Sequence, residues 1–473
     1  MVQTIQGQRF QYAQIQSPET NRKIDLSNAL EQIDYYEDIL CPYTSMTLQI
    51  RATVNIVTEL PITFGERFAM EVETGSGRFT CGSLNGDGDV DIGKGEFYVY
   101  KTSGCDTQKQ SANFTLHLVS KEYFDNECEE CPQKFGKDGG KPPQIDECVT
   151  EILNKNLKTE KKSFVEKTQN ALSFFGNRKS PFYTIRWLAA QSISIQANGG
   201  EDGEDSTTQG KGRGTGGFLF YENKTGFHFR SIDGLVSSTK EYENSNGIGA
   251  SDDKTINFDI HGTKEQPYEW RGLGAVDSNS LSSNFQIINC ITEKTTDARK
   301  AIQTGVYCNE VAYYNVKSHE MSFYTYKLSE EIKDNKLGSD EVPVAPTVKD
   351  RVTRRFFRIS DHGVTGQGKD GLEPGGGRNA ERMAQAKSIS RYNLLFTQSK
   401  NLSIPMNTNI KAGDIIRCSF PRLNSGQTKE SDEREGGKWL IRGVHHRFKY
   451  NLNVTFLKIN KDSYGFADPK VVS

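Results

Sequence analysis

Nowhere in its 473 residues does this chain hold a long apolar run. A membrane-crossing helix needs about 20 consecutive apolar residues, so no transmembrane segment is expected. The opening MVQTIQGQRF has no basic segment followed by an apolar stretch, and export by a signal peptide is not expected either. An excess of positive charge is also missing: 59 Lys and Arg stand against 61 Asp and Glu, a formal charge of -2, with a pI near 6.4. That balance excludes the cationic footprint of stable nucleic-acid binding and leaves room only for DNA passing by. Cysteines are nine, an odd number, scattered at 41, 81, 105, 128, 131, 148, 290, 308 and 418. They form no disulfide framework and point to synthesis in a reducing compartment. The Asn-x-Ser/Thr triplets at Asn113, Asn223, Asn401 and Asn453 then read as strand chemistry, not glycan acceptors.

Hydrophobic residues make up only 34% and aromatics 10%, with a mean hydropathy of -0.65. This profile fits many short, half-exposed strands better than packed helices, and the fold is expected to be mainly β (α+β). The length exceeds one core, so roughly three or four domains are expected. Strand patterns cover Arg9 to Gln16, Thr47 to Val57, Arg67 to Glu73, Glu96 to Lys101 and Ala112 to Val119, at the hairpin spacing of a barrel or sandwich. Segment 29–40 reads equally as a short helix or an irregular strand. Asp146 to Asn156 and Pro181 to Ser194 have helical spacing, Pro181 suiting a first turn. Residues 198–217 are a Gly- and Asp-rich loop. Gly217 to Glu222 and Phe227 to Arg230 flank a turn and predict a β-hairpin. Strand-like patches follow at Thr255 to Gly262, Val306 to Tyr314 and Ser322 to Leu328, with a helix between them, and loops at Asp334 to Asp350 and Gly363 to Gly377. Then come a helix at Asn379 to Arg391 and strands at Tyr392 to Phe396, Asp414 to Phe420, Trp439 to Val444 and Asn453 to Ile459.

Several motifs invite chemistry. Asn85 to Glu96 places oxygen ligands at loop positions one, three, five and twelve, as calcium would want, but Val90 replaces the sixth-position glycine and strands flank the loop. It reads as a calcium loop or, better, an Asp/Gly hairpin tip. Cys128 and Cys131 make half of a zinc site, with Cys148 and Cys105 as conceivable further ligands; the second Cys-x-x-Cys is missing. His445 and His446 are adjacent on a strand, so one faces a core and the other the surface. Gly210 to Gly214 lacks the Lys-Ser/Thr of a phosphate loop. In Lys349 to Arg358, Arg alternates with Val and Phe, as in a strand with one charged face. No Gly-x-Ser-x-Gly elbow or His-Glu-x-x-His helix is present, and carboxylates are too plentiful to single out a pair. No enzymatic activity is expected, and no catalytic, cofactor or metal residue is assigned.

The two ends of the chain repeat each other. Ala112-Asn113-Phe114-Thr115-Leu116 is echoed by Leu452-Asn453-Val454-Thr455-Phe456, and Ile62 to Phe68 by Ile410 to Ile416, in the same order. Two ordered matches indicate a duplicated unit. In this alignment His117 stands opposite Leu457 and Leu118 opposite Lys458, so the two units are expected to offer unlike surfaces.

The residues Leu60 to Glu66, Ser180 to Ala189, Gly217 to Ile232 and Gly437 to His446 give the chain a resemblance to the baseplate central hub protein of contractile-tailed, T-even-like bacteriophages. The resemblance implies two tail-tube-like antiparallel β-barrels with inserted α/β domains. It places the first barrel at 1–125 and an α/β insert with a flexible loop at 126–216. A hairpin and mixed α/β region at 217–345 lends strands to the second barrel, and a linker helix precedes that barrel within 346–473. It further implies a homotrimer whose six barrels form a pseudo-sixfold ring. The implied partners are the spike/lysozyme protein, tail-tube-initiating baseplate proteins and DNA in transit through a central channel. The implied location is the virion tail baseplate, assembled in the bacterial host cytoplasm. Two other readings share the barrels: a tail-associated cell-wall hydrolase, and the hub or spike of a related contractile injection machine. With only a short stretch after the last strand pattern, no fused spike is expected.

Overall fold

In the computed structural model the chain is mostly β-strand. The structure describes residues 9–52, 62, 64–108, 111–136, 142–194, 215–237, 260–270, 284–294, 297–316, 319, 321–331, 337–338, 347–348, 350–360, 377–421, 432, 435–449 and 452–464. The Gly210–Gly214 segment, most of the 198–217 and 363–377 loops and the 53–57 end of an expected strand lie outside them.

The first region comprises β1 (Arg9–Gln16), β2 (Lys23–Asp25), β3 (Leu30–Asp38), β4 (Ser45–Ala52), β5 (Arg67–Thr74), β6 (Gly77–Cys81), β7 (Phe97–Gln108) and β8 (Ser111–Ser120). Phe114, Leu116 and Leu118 of β8 are buried while Thr115 and His117 are half-buried, the period-two pattern of a strand with one core face. They meet Ile33, Leu48, Phe68 and Val99 in one core. The ambiguous 29–40 segment is strand β3. It is hydrogen-bonded along both edges, to β4 and to a C-terminal strand, and tertiary pairing decides what local propensity could not.

Next come α1 (Lys121–Cys128), β9 (Lys134–Phe135), α2 (Ile145–Glu151) running into a π-helical turn at Ile152–Asn156, β10 (Ser163–Val165), β11 (Phe174–Phe175) and α3 (Pro181–Ala189). Pro181 opens α3, and the free Phe182 N–H is satisfied by Asn126 Oδ1 of α1 at 2.7 Å. A second core gathers Phe135, Val149, Ile152, Ile185 and Leu188. The hairpin β12 (Phe218–Asn223) and β13 (Gly226–Ser231) is buried on both faces. Phe218, Phe220, Phe227 and Phe229 point into this second core, and Leu219 and Tyr221 into a third. A continuous apolar run is what a doubly covered strand requires.

The chain continues through α4 (Ile232–Ser237), β14 (Ile260–His261), β15 (Tyr268–Trp270), β16 (Gln286–Ile287), β17 (Asn289–Lys294) and α5 (Ala298–Thr304). A separate three-stranded sheet holds β18 (Cys308–Asn315) between β19 (Met321–Lys327) and, after α6 (Leu328–Glu331), β20 (Arg354–Ser360). Helix α7 (Gly377–Leu394) leads to β21 (Gln398–Pro405), β22 (Ile415–Ser419), β23 (Gly437–Lys449) and β24 (Val454–Lys461). Two expectations are corrected here. Tyr392 to Phe396 is not a strand: α7 runs to Leu394 and the strand begins at Gln398. Its opening Gln-Ser-Lys is polar yet buried, with Lys400 Nζ held by Glu435 at 2.7 Å, so hydropathy hides it. In β20 the outward face is not purely charged. Arg355 shares it with exposed Phe357 and Ile359, because Phe356 is the residue that packs toward α7.

Among the described residues, sixteen strands hydrogen-bond into one sheet spanning the first and third cores. Among the described residues the pairings trace an open path, from β16 at one end to β2 at the other, and not two closed barrels.

Candidate functional site

Two sets of five strands share one pairing order. β3-β4-β8-β7-β5 are neighbours in the first, and β17-β21-β24-β23-β22 in the second. Every contact in both is antiparallel. The likeness extends to single hydrogen bonds. Gly65 N donates to Val99 O and Val99 N to Glu66 O, both at 3.0 Å; Gly413 N donates to Ile441 O at 2.9 Å and Ile441 N to Asp414 O at 2.8 Å. Gly65 and Gly413 both sit in the left-handed region, at φ 86° and 96°, where a Cβ costs energy. One residue further each cassette carries a bulge, the pairing jumping from Val99 to Lys101 and from Ile441 to Gly443. The echo of Ile62–Phe68 in Ile410–Ile416 is therefore an equivalence of position.

The downstream alignment, by contrast, slips by one residue. Val99 faces Leu118 and Ile441 faces Ile459, so Leu118 corresponds to Ile459 and His117 to Lys458. The contrast expected from His117 against Leu457 and Leu118 against Lys458 is overturned. Leu118 and Ile459 are both fully buried, while His117 is half-buried and Lys458 exposed. Matching the Asn-x-Thr letters hides the slip, and in a strand a one-residue slip exchanges the two faces.

The cassettes meet where β3 lies antiparallel to residues 443–449 of β23. Asp34 is the charged centre of this joint. Its Oδ1 accepts from His445 Nε2 at 2.6 Å and Arg447 Nε at 2.8 Å, and its Oδ2 from Gln32 Nε2 at 2.6 Å. Burial alone would raise the Asp34 carboxyl, but these three donors outweigh it and hold its pKa at about 2. Tyr36 stacks on His445 with ring centroids 4.4 Å apart. His446, on the opposite face of β23, is fully buried and bonded through Nδ1 to Thr455 Oγ1 at 3.0 Å. Burial pushes its pKa down to about 3, with Lys224 adding to the effect. Glu37 fastens the joint to its surroundings, accepting from Tyr35 Oη (2.7 Å), Lys224 N (2.7 Å) and Ala412 N (2.8 Å).

Two buried charge clusters brace the inserts. Lys161 Nζ lies 2.6 Å from Glu122 of α1 and 2.5 Å from Glu222 of β12, and Glu222 also accepts from Thr44 N and Ser120 Oγ. Burial opposes the Lys161 charge, but the two carboxylates outweigh it and keep the ammonium protonated. Arg391 of α7 bridges Asp233 of α4 at 2.6 Å and Asp462, just past β24, at 2.7 Å. A different surface is apolar: Met321, Phe323, Phe357 and Ile359 share the exposed face of the β19-β18-β20 sheet.

The structure scatters the sequence motifs. In the Asn85–Glu96 loop, Asn85 Oδ1 accepts from Asp87 N and Asp89 N, Asp89 Oδ1 meets Lys23 Nζ and Gln16 Nε2, and buried Glu96 accepts from Gly93 N and Tyr98 Oη. These oxygens serve the turn and its neighbours, as a hairpin tip requires. Cys128 is exposed at the end of α1, whereas Cys131 and Cys148 belong to the second core. Burial and nearby carboxylates push the Cys148 thiol up to about 12, away from the thiolate that zinc binds. No cluster of three His, Cys, Asp or Glu able to hold a metal ion occurs among the described residues. Asp34, Glu37 and Lys161 escape sequence reasoning, since Asp34 and His445 are 411 positions apart.

No protein-family model matches the chain. It is similar, at 20% identity over 251 residues, to the probable baseplate hub protein gp334 of Vibrio phage KVP40. The match covers 52% of this chain and 52% of that relative, so the chain spans about half the relative's length. The resemblance to phage baseplate hubs is supported by this likeness. Among solved structures the fold is similar to the tail protein from Neisseria meningitidis MC58, with TM-score 0.49, 11% identity, and 96% of this chain and 97% of that one covered. It is also similar to the 43 kDa tail protein of prophage MuSo2 from Shewanella oneidensis, with TM-score 0.46, 9% identity, and coverages of 96% and 99%.

Proposed function

We propose that this chain is the structural hub of a phage tail baseplate. Three copies form a ring of six cassettes that fits a threefold spike to a sixfold tail tube, with an axial channel for DNA ejection. The observation that carries the reading is the repeated five-strand order, two cassettes joined edge to edge within one chain. A chain with two similar units turns threefold symmetry into approximate sixfold symmetry. The balance of 59 basic and 61 acidic residues suits a channel that passes DNA without retaining it. The exposed apolar face of the β19-β18-β20 sheet fits contact with another baseplate protein better than permanent solvation. Its partners are then the spike/lysozyme protein and the tube-initiating proteins, its place is the virion tail, and its role is mechanical, without catalysis. Light scattering on the full chain should return three times the 53.0 kDa chain mass for the chain alone, and three hub chains plus the bound spike mass when its spike protein is present. A stable monomer at micromolar concentration in both preparations would overturn the reading.

A further inference from the structure

The two cassettes are equivalent in pairing order but not in what covers their edges. In the first, the outer edge of β3 is filled by residues 443–449 of β23. The counterpart of β3 is β17, because Ile33 faces Leu48 as Cys290 faces Leu402, and Leu48 and Leu402 face the equivalent Leu116 and Leu457. Among the described residues β17 pairs only with β21, and its outer edge carries Ile291 at 55% exposure. The counterpart of residues 443–449 is the far half of β7, Lys101 onward. It pairs with β8 on one side, while β5 reaches only Phe97 and Tyr98 on the other. Among the described residues there are thus one filled joint and both halves of a second, unfilled one. Such open edges are natural templates for strand addition.

We infer that β17 of one subunit pairs antiparallel with the Lys101–Gln108 half of β7 in the next subunit, repeating between chains the joint that β3 and β23 make within a chain. The inference rests on the ring proposed above. Its register follows from the equivalences. In the internal joint Tyr36 faces His445 and Asp34 faces Arg447. By the same pairings Lys294 takes the place of Tyr36, Ile291 that of Asp34, Ser103 that of His445 and Asp106 that of Arg447. Lys294 should face Ser103, and Ile291 should face Asp106.

A second observation comes from the bulges. From Asp34 to Tyr36 and from His445 to Arg447 are two steps each, whereas Ile291 to Lys294 and Ser103 to Asp106 are three. The extra residue in β17 appears as the register shift between Thr292 and Lys294, and the one in β7 as the shift between Ser103 and Asp106. Each strand carries one additional residue at the same place, so the two edges stay in step with each other. This joint is head-to-tail, and such an interface closes into a ring when the rotation from one subunit to the next is a whole fraction of a turn, as the threefold symmetry proposed above requires.

The test is a cysteine pair, Ser103→Cys with Lys294→Cys, in the full chain under mild oxidation, with the linked peptides identified by mass spectrometry. The expected result is intersubunit 103–294 disulfides that grow to a closed covalent trimer, absent from either single variant. Independently, Ile291→Asp places an acid opposite Asp106 and should weaken self-association at least tenfold while leaving the thermal unfolding of the subunit unchanged, since this side chain is exposed. Adding Asp106→Lys should restore association. A trimer that forms normally, resists Ile291→Asp and yields no 103–294 link would overturn the strand pairing and leave the hub reading standing. A chain that stays monomeric with its spike protein would overturn both.

Discussion

Single side chains set how this protein meets acid. His446 and His228 are fully buried. Burial pushes His446 down to about 3 and His228 well below its ordinary value, with Lys224 and Arg230 respectively adding to it. An unfolded histidine takes its proton near pH 6.5, so the unfolded chain binds protons first. Stability from these residues is whole above about pH 6.5 and is lost as pH falls toward 3, by at most about 1.4 kcal/mol per unit for each. Burial raises the carboxyls of Glu37, Glu222 and Asp233, and these act in the opposite sense. The informative measurement is therefore a difference: urea unfolding of His446→Gln should decline less steeply than the parent between pH 6.5 and 4. Asp34 behaves the other way round. With its folded pKa near 2, its contribution is present above about pH 4 and disappears only as pH falls toward 2. Asp34→Asn removes the charge that His445 and Arg447 share and turns the oxygen that accepts from Gln32 into a donor, and should cost about 2 kcal/mol at neutral pH by chemical denaturation. The adjacency of His445 and His446 was legible in the sequence, down to their opposite faces. That the outward face meets a carboxylate was not, because its partner lies 411 residues away.

At the scale of elements, the hairpin β12–β13 carries much of the architecture. It is covered on both faces and touches two cores, so it cements the insert to the second cassette. Its turn leaves no room for change. Gly226 has φ 137°, and a Cβ there would strike the Lys162 carbonyl oxygen. Gly226→Ala should cost about 3 kcal/mol or more and leave little soluble protein; a variant with the parent's melting temperature would refute the constraint. The hairpin was plain in the sequence, since apolar runs around an Asn-Lys-Thr-Gly turn permit little else. Strand β21 was hidden for the opposite reason: its first residues are polar, and their burial depends on Glu435 and on the backbone past β24. Strand β3 was ambiguous until both of its edges found partners.

For the whole molecule, duplication explains the arrangement and also its imperfection. The first cassette is extended by β1, β2 and β6, the second by β14, β15 and β16. The second is also interrupted between β17 and β21 by the β18–β20 sheet, α5, α6 and α7. A ring built from them should show six lobes of two alternating kinds. Averaged electron-microscopy views down its axis are expected to retain threefold but not sixfold symmetry, and six indistinguishable lobes would contradict the assignment of two distinct cassettes per chain. The sequence by itself determined the mainly β character, the hairpin, α2, α3 and the existence of a repeat, because each rests on local periodicity, turn chemistry or similarity of short segments. Only the tertiary structure decided the register of the repeat, the identity of the cassette strands and the joint between them. Those depend on which distant backbone edges meet, and hydrogen bonds between β3 and β23 leave no mark on either segment alone.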